Sequence, residues 1–256
     1  MNESKFIPGI HNYCDRWCER CYFTSRCRVY VKLNESDTEA NDINNKKFWD
    51  KLSSGMADTI RMIYEDAAKH GIDLDKEIKA NEEEYQKNQE KTEIKLKESE
   101  LDQYNNQYML LAREWLKKHE HFDEIRDDAL QKAELGLGTE EEIMNHLQTI
   151  NECLEVINWY LFLISVKFKR ALSGKFEDDG WEEENGFQKD SDGSAKIALI
   201  ATKRTFDAWH QLFNILPKEQ ENLIPMLSIL QKIKKKGDEE FPNAKDFVRP
   251  GFDEGL

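Results

Sequence analysis

Proline and glycine are scarce in this chain of 256 residues, which holds five of the first and twelve of the second. A turn-rich β fold needs more frequent punctuation, so their scarcity points to long helices. Long hydrophobic runs are missing too. No stretch approaches the roughly eighteen consecutive apolar residues that read as a membrane-spanning helix. The most apolar stretch, Trp159 to Val166, runs straight into Lys167, Lys169 and Arg170. Positive charge is outweighed: 37 Lys and Arg face 51 Asp and Glu, a formal net charge of −14. A surface of that sign repels nucleic acid and anionic lipid, whose binding depends on basic side chains. The start, MNESKFIPGIHNYC, has no basic residues leading into an apolar run and does not read as a signal peptide. These absences predict a cytoplasmic protein with neither nucleic acid nor membrane as partner. A glycine-rich phosphate loop, a dinucleotide fingerprint and a nucleophile elbow are also absent, so no catalytic residue is assigned and enzyme activity is left open.

What is present is concentrated at one end. Four of the five cysteines, Cys14, Cys18, Cys21 and Cys27, fall within fourteen residues; Cys153 stands apart. In a reducing compartment, clustered thiols are more often metal ligands than disulfides. A thiolate site suits an iron–sulfur cluster or zinc. Only Cys18 and Cys21 form a Cys-x₂-Cys knuckle, and a zinc site ordinarily draws on a second one. Residues 14, 18 and 21 stand at i, i+4 and i+7, so on a continuous helix they share one face, with the end members about 10.5 Å apart along the axis. A single zinc with bonds near 2.3 Å reaches both ends poorly, and a larger cluster reaches them better; in a loop this discrimination disappears. The Cys14-x₃-Cys18-x₂-Cys21 spacing resembles the cluster motif of radical SAM enzymes over eight residues. That family is built on a β/α barrel, which the long helices expected here do not provide, so only the cluster-holding spacing is carried over. With Cys27 as fourth ligand the cluster has no open iron, which favours electron transfer, redox sensing or a structural role. Arg16, Arg20, Arg26 and Arg28 would offset the negative charge of four thiolates, and Trp17, Tyr22 and Phe23 would shield the site or dock the segment.

The rest of the chain reads as helices. Phe48, Leu52, Met56, Ile60 and Ile63 form an amphipathic stripe over about 46–70, stopped at Gly71. Residues 73–118 read as one or two helices, with a polar stretch at 81–97 and core-facing Tyr104, Tyr108, Leu111 and Trp115. A short helix is expected near 121–135. Thr139 and Glu142 make a capping-box pair. From Ile143 to Ala171, apolar residues then alternate steps of four and three, the seam of a helix about 50 Å long. Around Tyr160 to Val166 it is apolar nearly all round, which predicts burial on more than one side. Residues 174–193 read as a long loop, 194–216 as a helix ended by Pro217, and Pro225 to Lys236 as a last helix stopped at Gly237. The lysines of that last turn suit the helix dipole.

The expected architecture is therefore all-α: a cysteine-rich metal-binding segment at 1–33, an up-and-down helical bundle at 46–236 and an extended C-terminal tail at 237–256. Its expected cofactor is an iron–sulfur cluster, with structural zinc as the alternative, and its expected partner a protein, either another protein or a second copy of the chain. Other candidates are weaker. Asp207-x-x-His210 is the nearest match to a di-iron motif, and an ion pair with Arg204 explains it more simply. His11 is a substitute ligand. His119 and His121 lie in a charged stretch, and Asn151, Asn158 and Ser165 line one side of the long helix.

Overall fold

A computed structural model describes residues 5–34, 42–118, 127, 131, 134–137 and 139–253. Among these there is no strand, and eight α-helices carry the fold: α1 (Arg28–Asn34), α2 (Lys46–Lys69), α3 (Leu74–Glu98), α4 (Glu100–Leu116), α5 (Glu140–Phe176), α6 (Trp181–Glu184), α7 (Asp190–Ile215) and α8 (Gln220–Glu240). The helix expected near 121–135 lies largely outside the described residues, as do His119 and His121. The chain divides into two compact units, Met1–Glu93 with Pro250–Leu256, and Ile94–Arg249.

The second unit is a four-helix bundle of α4, α5, α7 and α8, each packed on two neighbours in a closed ring. Its direction follows from cross-contacts. Gly174 near the end of α5 meets Ser191 at the start of α7. Further along, Tyr160 Oη accepts from Arg204 Nη1 at 2.6 Å, and Cys153 Sγ meets Gln211 Oε1 at 3.4 Å. Those pairs make α5 and α7 antiparallel. Lys236 pairs with Glu100 at 2.9 Å, and Trp115 Nε1 donates to Glu219 at 3.0 Å, which makes α4 and α8 antiparallel. Lys169 stands 3.6 Å from Asp102, near the end of α5 and the start of α4. The helices therefore run alternately up and down.

The local signals explain the helix ends. Thr139 Oγ1 accepts from the Glu142 amide at 3.2 Å while the Glu142 carboxylate accepts from the Thr139 amide at 2.8 Å. This reciprocal pair satisfies two of the donors that every helix start leaves open. Ser99 separates α3 from α4 as N-cap. At the end of α2, Ile72 N–H reaches Ala67 and Gly71 N–H reaches Ala68, with Gly71 at φ +72, a left-handed position that glycine adopts without a side-chain clash.

The seam of α5 is buried from Ile150 through Ile157, Leu161, Ile164 and Phe168 to Ala171. At about 1.5 Å per residue, its 37 residues span about 55 Å. Trp209, in α7, sits across the far end, donating to Tyr108 Oη at 3.1 Å with the Trp115 ring edge-on at 5.1 Å.

Several expectations need correction. Phe162 and Val166 are exposed, so α5 buries one broad face rather than its whole girth there. The loop expected at 174–193 is shorter. Helix α5 runs to Phe176, α7 starts at Asp190, and α6 lies between, with Trp181 and Phe187 stacked on each other and exposed. Helix α8 begins at Gln220, five residues before Pro225, and passes Gly237 without stopping. Gly237 is buried in the bundle: a Cβ there would lie 2.8 Å from Phe168 Cζ and 3.0 Å from Leu199 Cδ2. Its glycine serves close helix packing, and the helix ends one turn later. Lys234, Lys235 and Lys236 accordingly pair with Asp238, Glu239 and Glu240 on their own helix rather than capping its end.

In the first unit, α2 carries the expected apolar stripe, yet none of its 24 side chains is buried. The polar stretch 81–97 is one continuous, largely exposed helix within α3.

Candidate metal centre

The segment that carries the four cysteines is a chain of tight turns. Trp17 (φ −81, ψ 74) centres a turn in which the Cys18 amide donates to Arg16 O at 2.9 Å. The Asp15 carboxylate accepts from the Trp17 amide at 3.2 Å. Arg16 itself has φ +60, the one described non-glycine residue with positive φ. Holding an arginine there costs roughly 1–2 kcal/mol, strain of the kind that gathers at functional sites. Two 3-10 turns follow, Cys18–Arg20 and Thr24–Arg26. Each closes on a cysteine, Cys21 or Cys27, whose amide donates back to the first residue of its turn and whose backbone is extended. Helix α1 then starts at Arg28.

Between a helix and a loop, the segment takes the loop. Cys14, Cys18 and Cys21 are not on one continuous helix, and the argument against zinc from an axial spread of about 10.5 Å falls with it. The physical reason lies between them: Asp15 ties its carboxylate to a neighbouring amide, a bond that competes with helix formation.

The turns nevertheless gather the thiols. Cys14, Cys18, Cys21 and Cys27 all line one shallow, open recess, with Ile10, Trp17, Phe23, Tyr30 and Phe252 as its apolar walls. His11 and Arg16 also reach it, and His11 O accepts from Cys14 Sγ at 3.5 Å. The Phe23 amide donates to Cys21 Sγ at 3.4 Å. Burial raises the Cys18 thiol above its ordinary pKa, and Cys14, Cys21, Cys27 and Glu19 raise it further through like-charge repulsion. As the side chains stand, no group of three or more His, Cys, Asp or Glu among the described residues is arranged to hold a metal ion. Ligation would require the four cysteine side chains to draw closer together within the recess.

Aromatic residues and arginines frame the turns. The Arg20 guanidinium lies 4.0 Å over the Trp17 ring, and Phe23 meets Phe252 edge-on at 5.1 Å. Tyr22 points outward and is 96% exposed, so it neither shields the thiols nor docks the segment. Arg16, Arg20, Arg26 and Arg28 are exposed.

The remaining candidates fall away. Asp207 pairs with Lys203 at 2.6 Å rather than with Arg204, which reaches Tyr160 instead. His210 is exposed and stacks on Phe206. Asn151 and Asn158 are exposed and bonded within their own helix, while Ser165 is buried, so the three do not line a common cleft. Cys153 is buried in the bundle, where its thiol is pushed up to about 11. Sequence reasoning missed Phe252 as part of the recess. The only hint was an aromatic residue in a Pro-Gly-Phe run near the end of the chain. No protein family, curated protein or solved structure matches this chain.

Proposed function

We propose that residues 14–27 form a metal centre ligated by Cys14, Cys18, Cys21 and Cys27, that its occupant is an iron–sulfur cluster, and that the protein transfers electrons or senses redox state with a protein partner. The observation that carries this reading is the shared recess of the four thiols. A soft, four-sulfur donor set suits iron–sulfur or zinc and suits hard cations poorly. Spacing favours the cluster: only Cys18 and Cys21 form a Cys-x₂-Cys knuckle, and a zinc site ordinarily draws on a second one. Four thiolates brought together repel one another, and a cationic centre removes that cost. When bound, the cluster supplies one-electron chemistry. The chain's own groups do the rest: the Phe23 amide donates to Cys21 Sγ and orients it, the aromatic walls limit water, and the exposed arginines offset the net negative charge.

The compact Cys18–Cys21 turn supports a second reading, a structural zinc clip for an interaction module, with the exposed stripe of α2 as a surface for a partner. Metal analysis of protein purified without oxygen separates the two. About four irons per chain are expected for the cluster. One zinc without iron transfers the proposal to the second reading, and neither metal refutes both.

A further inference from the structure

The cysteine recess is not closed by its own segment. Its far wall includes Phe252, 225 residues downstream of Cys27. Three contacts hold that wall in place. The Phe252 ring meets edge-on, at 5.1 Å, the ring of Phe23, whose own amide donates to Cys21 Sγ. Gly251 is pressed onto the buried side chains of Ile7 and Ile10, so that a Cβ on it would lie 2.8 Å from Ile7 Cδ1 and 3.1 Å from Ile10 Cδ1. Pro250 stands against Gly9, its Cγ 3.9 Å from where a Cβ on that residue would sit. Gly251 also has φ +76, a left-handed conformation that presents the next residue to the recess and that only glycine takes without strain. Ile7 in turn donates its amide to Arg26 O at 3.1 Å, one residue before Cys27. A continuous chain of contacts thus links Pro250, Gly251 and Phe252 to the turns that carry the ligands.

We infer that this C-terminal strap is a working part of the metal centre: Phe252 is a positioning residue that walls the four thiols from water and slows loss of the bound metal, and Gly251 is the clamp that seats it. The inference rests on the proposed metal centre, but the wall itself stands between solvent and the thiols with or without metal. An aromatic wall matters here because solvent access sets both how readily a thiolate centre loses its metal and where its potential lies. Phe252 is half-buried and its removal leaves the buried core of the bundle untouched, so a substitution there reads out on the recess.

The test uses the full chain in two states. In metal-free, reduced protein, the rate at which a disulfide reagent modifies the thiols is compared for wild type, Phe252→Ala, Phe252→Leu and Gly251→Val. In metal-loaded protein, metal transfer to a coloured chelator is timed. Phe252→Ala and Gly251→Val are expected to raise the labelling rate of the four clustered thiols and the metal-release rate severalfold. Phe252→Leu, still apolar and bulky, restores most of the protection. The slow labelling of buried Cys153 and the thermal unfolding of the bundle stay as in wild type. Unchanged labelling and unchanged release in Phe252→Ala overturn the inference, as does faster labelling of Cys153 to the same degree, which would mean general loosening. Wild type that takes up no metal, yet labels faster on Phe252→Ala, overturns the metal reading and leaves the wall standing.

Discussion

Gly237 offers the sharpest quantitative test of the bundle, because the same substitution at a second helical glycine should change stability in the opposite direction. Replacing a helix-interior glycine by alanine ordinarily gains about 1 kcal/mol from reduced backbone entropy. At Gly174 in α5 nothing opposes that gain: the nearest atom to a new Cβ is Ser191 Cβ at 3.4 Å, an ordinary contact. At Gly237 the new Cβ would stand 2.8 Å from Phe168 Cζ, 3.0 Å from Phe168 Cε1 and 3.0 Å from Leu199 Cδ2. The Phe168 ring is wholly buried and has little room to retreat. Overpacking of that kind costs about 1–3 kcal/mol. The balance makes Gly237→Ala neutral to about 2 kcal/mol destabilising, while Gly174→Ala stabilises by up to about 1 kcal/mol. Gly237→Val should cost more than Gly237→Ala, since a branched side chain enters the same space. Urea denaturation followed by circular dichroism at constant pH measures all three. If Gly237→Ala stabilises the bundle as much as Gly174→Ala does, the close approach of α8 to Phe168 and Leu199 is wrong.

Four further outcomes follow from the same contacts. Asn105 is 1% exposed, and neither of its side-chain polar atoms finds a hydrogen-bond partner among the described residues. Such burial costs about 1–3 kcal/mol, so Asn105→Leu should raise the urea midpoint, by about 1 kcal/mol in stability. Thr139→Ala removes the capping box and should lower stability by about 1 kcal/mol in the same assay. Its partner adds a pH signature. The Thr139 amide and hydroxyl hold the Glu142 carboxyl below the usual carboxylate range. That contribution is complete above the unfolded-state pKa and is lost as pH falls through the lowered folded-state value. The gap between wild type and Glu142→Gln should therefore be full at neutral pH and close in acid, as a denaturation series against pH would show. If the proposed metal centre is right, Cys18→Ser should reduce bound metal severely while Cys153→Ser leaves it unchanged, by elemental analysis of both proteins.

Helices were legible in the sequence because their signals are local. The Thr139–Glu142 pair, the alternating steps from Ile143 to Ala171 and the glycine at 71 each act within a turn or two, and each stands in the structure where the chain placed it. The compact spacing of Cys14, Cys18, Cys21 and Cys27 was likewise enough to single them out. Local signals failed where a distant residue decides. Gly237 looks like a helix stop until Phe168 and Leu199 are seen against it. The apolar girth of α5 near Tyr160 suggested burial on more than one side, yet its neighbours α4 and α7 leave Phe162 and Val166 exposed. The spacing of the cysteines left helix and loop both open, and the turns around Asp15 decide for the loop. The sequence by itself determined the helical class, the long capped helix and the four candidate ligands, since periodicity, capping and spacing are properties of neighbouring residues. Only the tertiary structure decided the antiparallel ring of the bundle and which distant residues, Phe252 among them, line the recess beside the four cysteines. Those depend on contacts across tens to hundreds of residues, whose geometry no local pattern specifies.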